Sequence, residues 1–457
     1  MEVSLKTYIN INYVVYRMPP RKRTKVGFET EFFTIDEHGT LVNKVDELTE
    51  LVKNNKNVHK QIREEIFESM MEIGAAPAER LKVVGLRYLE NLKKLIEVGE
   101  ENGIKLLPLS CYPAKSQPKI RRKPWYDAQA KLLGQRKFSD AIRICAFHFH
   151  YSLPKGVVET KTRRLKSLAY SKAKDTFLNQ YNFLIAADPA CITFCQSSPF
   201  WEGEHFVKDS RTMLYRDMYL HTKKREIHGL YFDYPLFGGM PKYEFTMEDL
   251  RVISAKRKSR YFELLHSKGI PLEKELVHSP ELRFMWGSIR VNKIGTFEYR
   301  GTDMNHPKYI FSMSYLLKLT LDVIRRDDLQ MLPSDIGLKE PFKREGDVVY
   351  LPPFSTLKSL EYLATVYGFE NSSVHDYCSA FFNFVLKNSK RPDMKRLEPI
   401  KEMVQKKKSV SDQVLDLVRK NGYDPENTPD EFLKYVALYH SKKLVKDVDD
   451  TIKTFKK

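Results

Sequence analysis

Residues 288–300 read SIRVNKIGTFEYR, and apolar and polar residues alternate on both sides of a short turn that ends at Gly295. This pattern predicts a β-hairpin. Because successive side chains of a strand point to opposite faces, Thr296, Glu298 and Arg300 share one face, and the aromatic residues between them lie on the other. The hairpin therefore presents a carboxylate beside a guanidinium on one face and packs with the other.

Two distant segments show the same division between a polar and an aromatic face. Residues 26–36 and 144–154 both alternate, so each is predicted to form a strand. Their polar positions are Glu29 and Glu31 in the first segment and His148 and His150 in the second. Taken alone, each pattern also fits a solvated edge strand. Together they predict one sheet with a polar working face.

A helical pattern is predicted between residues 58 and 73, where apolar residues recur at helical spacing and Gly74 follows. On such a helix Glu65 and Glu72 are two turns apart and lie nearly on one line. An isolated helix with this pattern would simply present a solvated face.

Seven polar residues from these segments each sit opposite an apolar face: Glu29, Glu31, Glu65, Glu72, His148, Glu298 and Arg300. Carboxylates with one imidazole suit Mg²⁺ or Mn²⁺ better than a structural zinc ion. A magnesium site with an arginine nearby is what phosphoryl transfer from ATP needs. The sequence has no Walker lysine motif and no Gly-x-Ser-x-Gly nucleophile elbow.

The rest of the chain is predicted to be largely helical. Helical patterns cover residues 79–101, 161–187 and 309–326, and a surface loop is predicted at 108–125. We expect three regions, which are a basic N-terminal arm at 1–24, a catalytic domain at 25–330, and a connector with a mostly helical C-terminal region at 331–457.

The formal net charge of +18 has two explanations. One is a surface for nucleic acid, and the other is a lysine-rich surface around a site for anionic substrates. The basic residues are dispersed and no nucleic-acid-binding motif accompanies them, so we favour the second explanation and do not expect nucleic acid as a main partner.

The apolar and cysteine content gives two further expectations. No apolar run approaches the roughly 18 residues that a membrane-spanning helix needs, so no membrane role is expected. The five cysteines have no metal-finger spacing, which favours reduced thiols and a cytoplasmic location.

Five motifs in the order found here resemble the glutamate–cysteine ligase family of carboxylate–amine ligases, within the glutamine-synthetase-like superfamily. The motifs are the strand GFETEF at 27–32, the pair Glu65 and Glu72, the strand FHFH at 147–150, the loop SSPFW at 197–201 followed by Tyr215-Arg216, and the hairpin TFEYR at 296–300 with Asp303. Each is weak alone, and together they are specific to the superfamily but not to a substrate.

The resemblance implies an α+β fold in which a curved antiparallel sheet has a concave, metal-lined face and helices behind it, with the helical C-terminal region as an appendage. It implies that ATP activates a carboxylate as an acyl phosphate, which an amine then attacks. The implied ligands of Mg²⁺ or Mn²⁺ are Glu29, Glu31, Glu65, Glu72, His148 and Glu298. Glu298, Arg300 and Arg216 would be catalytic, with Arg300 stabilising the transferred phosphoryl group. Arg216 would contact a nucleotide phosphate or the substrate carboxylate, and Arg300 and Arg290 are the other implied contacts of ATP. His150 and Asp303 are further candidates.

The most direct expectation is a glutamate–cysteine ligase of glutathione biosynthesis that forms γ-glutamylcysteine from amino-acid substrates. A ligase of the same superfamily with another amine acceptor stays open, as does an oligomeric assembly. An alternative of a different class is a basic nucleic-acid-binding protein on an enzyme scaffold that has lost its activity.

Overall fold

The structure is a computed structural model that describes residues 24–159, 162, 164–166, 171–222, 226–272 and 274–456. The predicted N-terminal arm lies almost entirely outside these residues. None of the helices in the described ranges is long and apolar enough to cross a bilayer. All five cysteines are free and buried.

The strands are β1 (Val26–Ile35), β2 (Ile62–Glu64), β3 (Met70–Gly74), β4 (Lys105–Leu107), β5 (Ala146–Ser152), β6 (Val158–Glu159), β7 (Arg164–Leu165), β8 (Phe200–Trp201), β9 (Glu204–His205), β10 (Tyr219–His221), β11 (Glu226–His228), β12 (Ile289–Asn292), β13 (Thr296–Asp303), β14 (Gln330–Pro333), β15 (Arg344–Glu345) and β16 (Val348–Leu351).

The helices are α1 (Val45–Leu51), α2 (Lys56–His59), α3 (Leu81–Glu101), α4 (Pro124–Leu133), α5 (Gln135–Ala141), α6 (Lys172–Cys195), α7 (Ser210–Tyr215), α8 (Pro235–Gly238), α9 (Met247–Ser267), α10 (Lys274–Val277), α11 (Pro307–Asp327), α12 (Asp335–Lys339), α13 (Phe354–Tyr367), α14 (Ser372–Asn388), α15 (Met394–Lys406), α16 (Val410–Lys420) and α17 (Asp430–Lys456).

An open antiparallel sheet forms the centre of the fold. Its strands follow the order β12-β13-β5-β1-β3-β2, and β4 pairs with β1. The predicted strands at 26–36 and 144–154 and the predicted hairpin are therefore confirmed as neighbours in one sheet. Gly295 adopts a φ of 84° in the hairpin turn, a conformation that glycine reaches without a steric penalty.

The aromatic face of the sheet is covered by helices, as predicted. Phe28 of β1 packs edge-on against Tyr88 of α3 and Phe311 of α11, with ring centroids 5.8 and 5.1 Å apart. Phe297 of β13 stacks on Phe177 of α6 at 5.0 Å. Because these rings are removed from water, the aromatic face supplies the hydrophobic stabilisation and leaves the opposite face for polar groups.

The predicted helix at 58–73 is wrong, because this segment forms the turn-connected strands β2 and β3. β3 lies between β1 and β2, so residues 70–73 are all buried. A strand that is buried on both faces is a continuous apolar run, and periodicity alone does not distinguish it from a helix. The predicted helix at 161–187 is shifted, since α6 runs from Lys172 to Cys195.

The region after residue 330 is mostly helical, as expected. Its last helix, α17, packs on α3 and β4, and Phe455 contacts Phe311 with ring centroids 5.1 Å apart. The C-terminal helices thus share one continuous hydrophobic core with the sheet. The bounds of the predicted regions stay a prediction.

Candidate active site

Strand register brings the predicted acids and histidines together on the polar face. Three cross-strand pairs form, which are Glu29 with His148, Glu31 with Glu72, and Glu298 with His150. Directly opposed residues of an antiparallel pair have their Cβ atoms about 5 Å apart. The side chains therefore lie close enough to act on one ligand, although they come from four strands.

Three groups of acids and histidines have ligand atoms that lie within 4.8 Å of one another. They are Glu29, Glu72 and His148; Glu29, His150 and Glu298; and Glu31, Glu65 and Glu72. Every residue predicted as a metal ligand occurs in at least one group. Glu65 joins them although the predicted helix is wrong, because the β2–β3 turn returns it to the face that carries Glu72.

His148 is the residue whose side chain is most clearly oriented to bind a ligand. Its side chain is 6% exposed, and its ring nitrogens lie 3.7 Å from Glu29 Oε2 and 3.9 Å from Glu31 Oε1. Neither nitrogen has a hydrogen-bond partner among the described residues. A buried polar atom is normally paired, so two unpaired nitrogens facing carboxylates fit a cation that both groups would coordinate.

The crowding of carboxylates moves their pKa values in opposite directions. Burial alone would raise the pKa of Glu29, but His148 and His150 outweigh it and lower that pKa. Burial, together with the charges of Glu29 and Glu31, raises the pKa of Glu72 to about 8. Burial, Glu31 and Glu72 likewise raise the pKa of Glu65. Without cations, part of the cluster therefore holds protons at neutral pH.

Glu298 is fully buried and is held by basic groups of the hairpin. Arg290 Nε and Nη2 each donate a hydrogen bond of 2.8 Å to its carboxylate, and Asn292 Nδ2 donates one of 2.5 Å. Arg300 Nη1 lies 3.3 Å away. Burial would raise the pKa of Glu298, but Arg290 and Arg300 lower it to about 2. Glu298 is therefore an anion at every physiological pH.

Arg63 is a site residue that the sequence analysis did not identify. It is opposite Glu72 in the β2–β3 register, and its Nη1 lies 3.0 Å from Glu72 and 3.2 Å from Glu29. The side chain is 68% exposed, so Arg63 is a largely solvated counter-ion at the edge of the acid cluster. The sequence analysis did not assign Arg63 to a strand face, because it predicted a helix for this segment.

Arg211 lies in the short helix α7, and Arg216 directly follows it. The two side chains have different surroundings. Arg216 is buried and forms ion pairs with Asp188 at 2.5 Å and Glu361 at 2.6 Å, and it also donates to Gly301 O. Asp188 in turn accepts a hydrogen bond from Tyr299, a residue of the packed face. The predicted contact of Arg216 with ATP stays a prediction, and it would require the guanidinium to leave these pairs.

Arg211, which the sequence analysis did not select, lines the cavity beside the acids. It is buried, donates one hydrogen bond of 2.9 Å to Arg300 O, and has no carboxylate within ion-pair distance among the described residues. Its Nε also lacks a partner in that part of the chain. Its charge acts on Asp209 and Asp303 without a direct ion pair, and a buried guanidinium with an unused donor fits an anionic ligand.

The cavity has a volume of about 250 Å³. Its lining includes Glu31, Glu65 and His148 and three arginines, Arg211, Arg290 and Arg300. The remaining wall is mainly aromatic and aliphatic. The site thus places acids, arginines and an apolar surface around one space.

The family comparison covers the part of the site that precedes the β12–β13 hairpin. Residues 25–224 match the model of glutamate–cysteine ligase family 2 (GCS2). This match confirms the resemblance predicted from the motifs. A search of curated proteins finds no match.

Two solved structures are similar to this chain in fold. The glutamate–cysteine ligase from Francisella tularensis in complex with AMP is 12% identical, with a TM-score of 0.56 over 95% of this chain and 93% of that chain. A bifunctional glutathione synthetase from Pasteurella multocida is also 12% identical, with a TM-score of 0.53 over 92% of this chain. This chain spans about half of the latter, 52% of its length. At this identity the likeness shows the fold alone.

Proposed function

We propose that this chain is an ATP-dependent carboxylate–amine ligase whose active site is the acid cluster and the cavity beside it. The observation that carries the proposal is the convergence of Glu29, Glu72, His148 and Glu298 from four strands, beside a cavity that His148, Arg290, Arg300 and Arg211 line. The GCS2 match over residues 25–224 supports the same reaction class.

The proposed reaction has two steps. An oxygen of the substrate carboxylate attacks the γ-phosphorus of ATP, the bond from that phosphorus to the ADP oxygen breaks, and an acyl phosphate and ADP form. The nitrogen of the amine then attacks the acyl carbon, the bond to the phosphate oxygen breaks, and the nitrogen loses a proton. The products are an amide, ADP and inorganic phosphate.

The donor set fits Mg²⁺ or Mn²⁺, because carboxylates outnumber imidazoles and the buried nitrogens of His148 have no partner in the described part of the chain. The residues that would hold the cations are Glu29, Glu31, Glu65, Glu72, His148 and Glu298. When bound, such cations neutralise the triphosphate and stabilise charge that moves during phosphoryl transfer. In this proposal the ions line the concave face of the sheet.

The arginines that line the cavity supply positive charge. Arg300 is buried, and its neighbours Tyr215 and Glu298 raise its pKa although burial opposes this, so it is always charged. Arg300 would stabilise the transferred phosphoryl group, and Arg290 keeps Glu298 in place. Arg211 would bind an anionic group of ATP or of the carboxylate substrate, the role that the sequence analysis gave to Arg216.

Glutamate is the proposed carboxylate substrate, and γ-glutamylcysteine is the product predicted from the resemblance. Both are proposals, as are a cytoplasmic location and a role in glutathione biosynthesis. The printed names of the similar structures describe those proteins and support the choice of the first substrates to test.

The test is ADP release and hydroxamate formation by the purified protein with ATP, Mg²⁺, glutamate and hydroxylamine. Hydroxylamine captures an acyl phosphate as a hydroxamate, so the first step is measured independently of the natural amine. We expect Glu298→Gln to lose about 100-fold or more of the rate. The control is Glu248→Gln, which removes an exposed carboxylate of α9. Absence of ADP release and hydroxamate, together with steeply salt-dependent nucleic-acid binding, would contradict the ligase and favour the alternative class.

A further inference from the structure

Two fully buried aspartates, Asp209 and Asp303, take no part in the proposed chemistry, although each belongs to an element that carries an arginine of the cavity. Asp209 caps the N-terminus of α7, and its Oδ1 accepts a hydrogen bond of 2.7 Å from Thr212 N. Asp303 ends β13, and its Oδ2 accepts hydrogen bonds from Ser197 N at 2.9 Å and Ser198 Oγ at 2.7 Å. One oxygen of each carboxyl group therefore has its donors within the fold.

The second oxygen of each group has no such donor. Asp209 Oδ2 and Asp303 Oδ1 are buried and lack a hydrogen-bond partner among the described residues. The two side chains lie within hydrogen-bonding distance of each other. Ser198 brings them together, since its hydroxyl donates to Asp303 and its backbone forms a bridge to that of Asp209. Two ionised carboxylates in this position repel each other, whereas a carboxylic acid donates a strong hydrogen bond to a carboxylate.

The groups that surround the pair do not replace a proton between the two acids. Arg211 is the cation that acts on both carboxyl groups, and it forms no ion pair with either of them among the described residues. Cys111, which follows β4, and Cys195, which ends α6, also face the pair, but burial raises the pKa of both thiols, so they stay uncharged. Burial and the charge of Asp209 raise the pKa of Asp303 well above its usual range. Burial likewise raises the pKa of Asp209.

On the basis of the proposed ligase function, we propose that Asp209 and Asp303 share a single proton and that this hydrogen bond positions Arg211 and Arg300 at the cavity. Asp209 caps the helix that carries Arg211, and Asp303 ends the strand that carries Arg300. Arg211 Nη2 also donates to Arg300 O at 2.9 Å, so α7 and β13 are joined both at the arginines and at the acids. Neither acid lines the cavity, so both are positioning residues.

Asparagine reproduces a protonated aspartic acid, so substitution by asparagine tests for the shared proton. In Asp303→Asn the amide oxygen can accept from Ser197 and Ser198 while the amide nitrogen donates to Asp209 Oδ2. Asp209→Asn keeps the bond from Thr212 and donates in the opposite direction. In the double variant both amide oxygens are needed for these donors, so two amide nitrogens face each other without an acceptor.

The kinetic readout is kcat/KM for hydroxamate formation with ATP, Mg²⁺, glutamate and hydroxylamine, corrected for the folded fraction. We expect the Asp209→Asn and Asp303→Asn double variant to lose about tenfold or more, because α7 and β13 are no longer held together at the acids. Each single asparagine variant should rescue most of this loss. The control is Asp393→Asn, which changes the N-cap carboxylate of α15 outside the cavity and should have wild-type kinetics.

A folding measurement tests the shared proton without relying on catalysis or on the double variant. In the unfolded chain both aspartates lose their protons above about pH 4, whereas the folded pair keeps one. Because the pKa is raised in the folded state, the stabilisation by this proton is complete in acid and is lost as the pH rises above that value. Asp303→Asn has no such proton to keep, and other titrating groups contribute equally to both proteins. The unfolding equilibrium constant of wild type relative to Asp303→Asn, from urea titrations, should therefore rise about tenfold per pH unit between about pH 5 and pH 7.

The contrary outcomes are distinguishable. The same pH dependence of unfolding in wild type and Asp303→Asn would show that both acids are ionised, and it would overturn the inference while leaving the ligase function standing. A loss of kcat/KM in each single variant as large as in the double variant, or no loss in a folded double variant, would also overturn the inference alone. Absence of hydroxamate and of ADP release in wild type would overturn the ligase function, and with it the positioning role.

Discussion

Arg290 holds Glu298 through two parallel hydrogen bonds of 2.8 Å across the β12–β13 hairpin. The planar guanidinium matches the two carboxylate oxygens, so the pair fixes both the position and the rotation of Glu298. The same carboxylate lies in one group with Glu29 and His150. The two strands of the hairpin themselves thus orient the Glu298 carboxylate toward the acid cluster.

Replacement of Arg290 by lysine tests this orienting role. Lysine keeps the charge but makes only point contacts, so Glu298 gains rotational freedom. We expect kcat/KM for hydroxamate formation to fall by about tenfold or more, with a smaller loss of thermal stability. Arg260→Lys changes an exposed arginine of α9 in the same way and should have wild-type kinetics. Equal kinetics of the two variants would show that the bidentate geometry is not needed.

Mg²⁺ binding should depend on pH with a defined sign. The pKa of Glu72 is raised to about 8, so below that pH a cation must displace a proton before Glu72 can bind it. We therefore expect Mg²⁺ to raise the Tm more at pH 8.5 than at pH 6.5. The check is a thermal-shift titration of the protein after EDTA treatment at both pH values. Glu72→Gln should give a smaller shift with less pH dependence, and a shift that grows toward acid pH would contradict the assignment.

The sheet and most of the acid cluster could be predicted because strand patterning is local. Glu29 and His148 lie on alternating segments, and a period of two assigns their faces before any tertiary contact is known. The prediction failed at β3 because a strand between two neighbours is buried on both faces and loses its alternation. Arg63, whose partner is defined by the β2–β3 register, was missed because the whole segment was predicted to be a helix.

The choice between the two arginines of 210–216 could not be made from the sequence. The ion-pair partners of Arg216 are Asp188 and Glu361, which are distant along the chain and are brought to it only by the packing of α6 and α13. Asp188 and Arg216 also need a glycine at position 301 to fit beside the backbone there. A Cβ atom at Gly301 would lie 2.5 Å from Asp188 Oδ1 and 2.7 Å from Arg216 Nη2. Such a network is a property of the tertiary fold and leaves no periodic signal.

Arg216→Met should act mainly on stability. It leaves Asp188 and Glu361 buried with one cation fewer, and breaking a buried pair in this way costs about 3–5 kcal/mol. We expect the urea midpoint to fall accordingly, with activity lost in proportion to the folded fraction. If KM for ATP instead rises in the fully folded variant, the predicted nucleotide contact of Arg216 is supported. Arg251→Met, at an exposed pair of α9, is the matched control.

The buried pair His306 and His440 should make the protein less stable in acid. His306 Nε2 and His440 Nδ1 lie 3.0 Å apart between the start of α11 and the middle of α17. Burial lowers the pKa of His440 to about 3 and, with the charges of His440 and two lysines, lowers that of His306. Both rings stay neutral in the folded chain, whereas in the unfolded chain they bind protons below about pH 6.5.

Because the unfolded state binds the additional protons, this pair lowers the free energy of unfolding as the pH falls below about 6.5, by about 1.4 kcal/mol per pH unit for each histidine. Urea unfolding of His440→Gln between pH 7 and pH 5 should show a shallower loss of stability than wild type, whatever its stability at pH 7. His266→Gln changes an exposed histidine of α9 and should keep the wild-type slope. Identical slopes for wild type and both variants would contradict this prediction. They would mean that the pair binds protons in the folded protein, with a charged imidazole between α11 and α17.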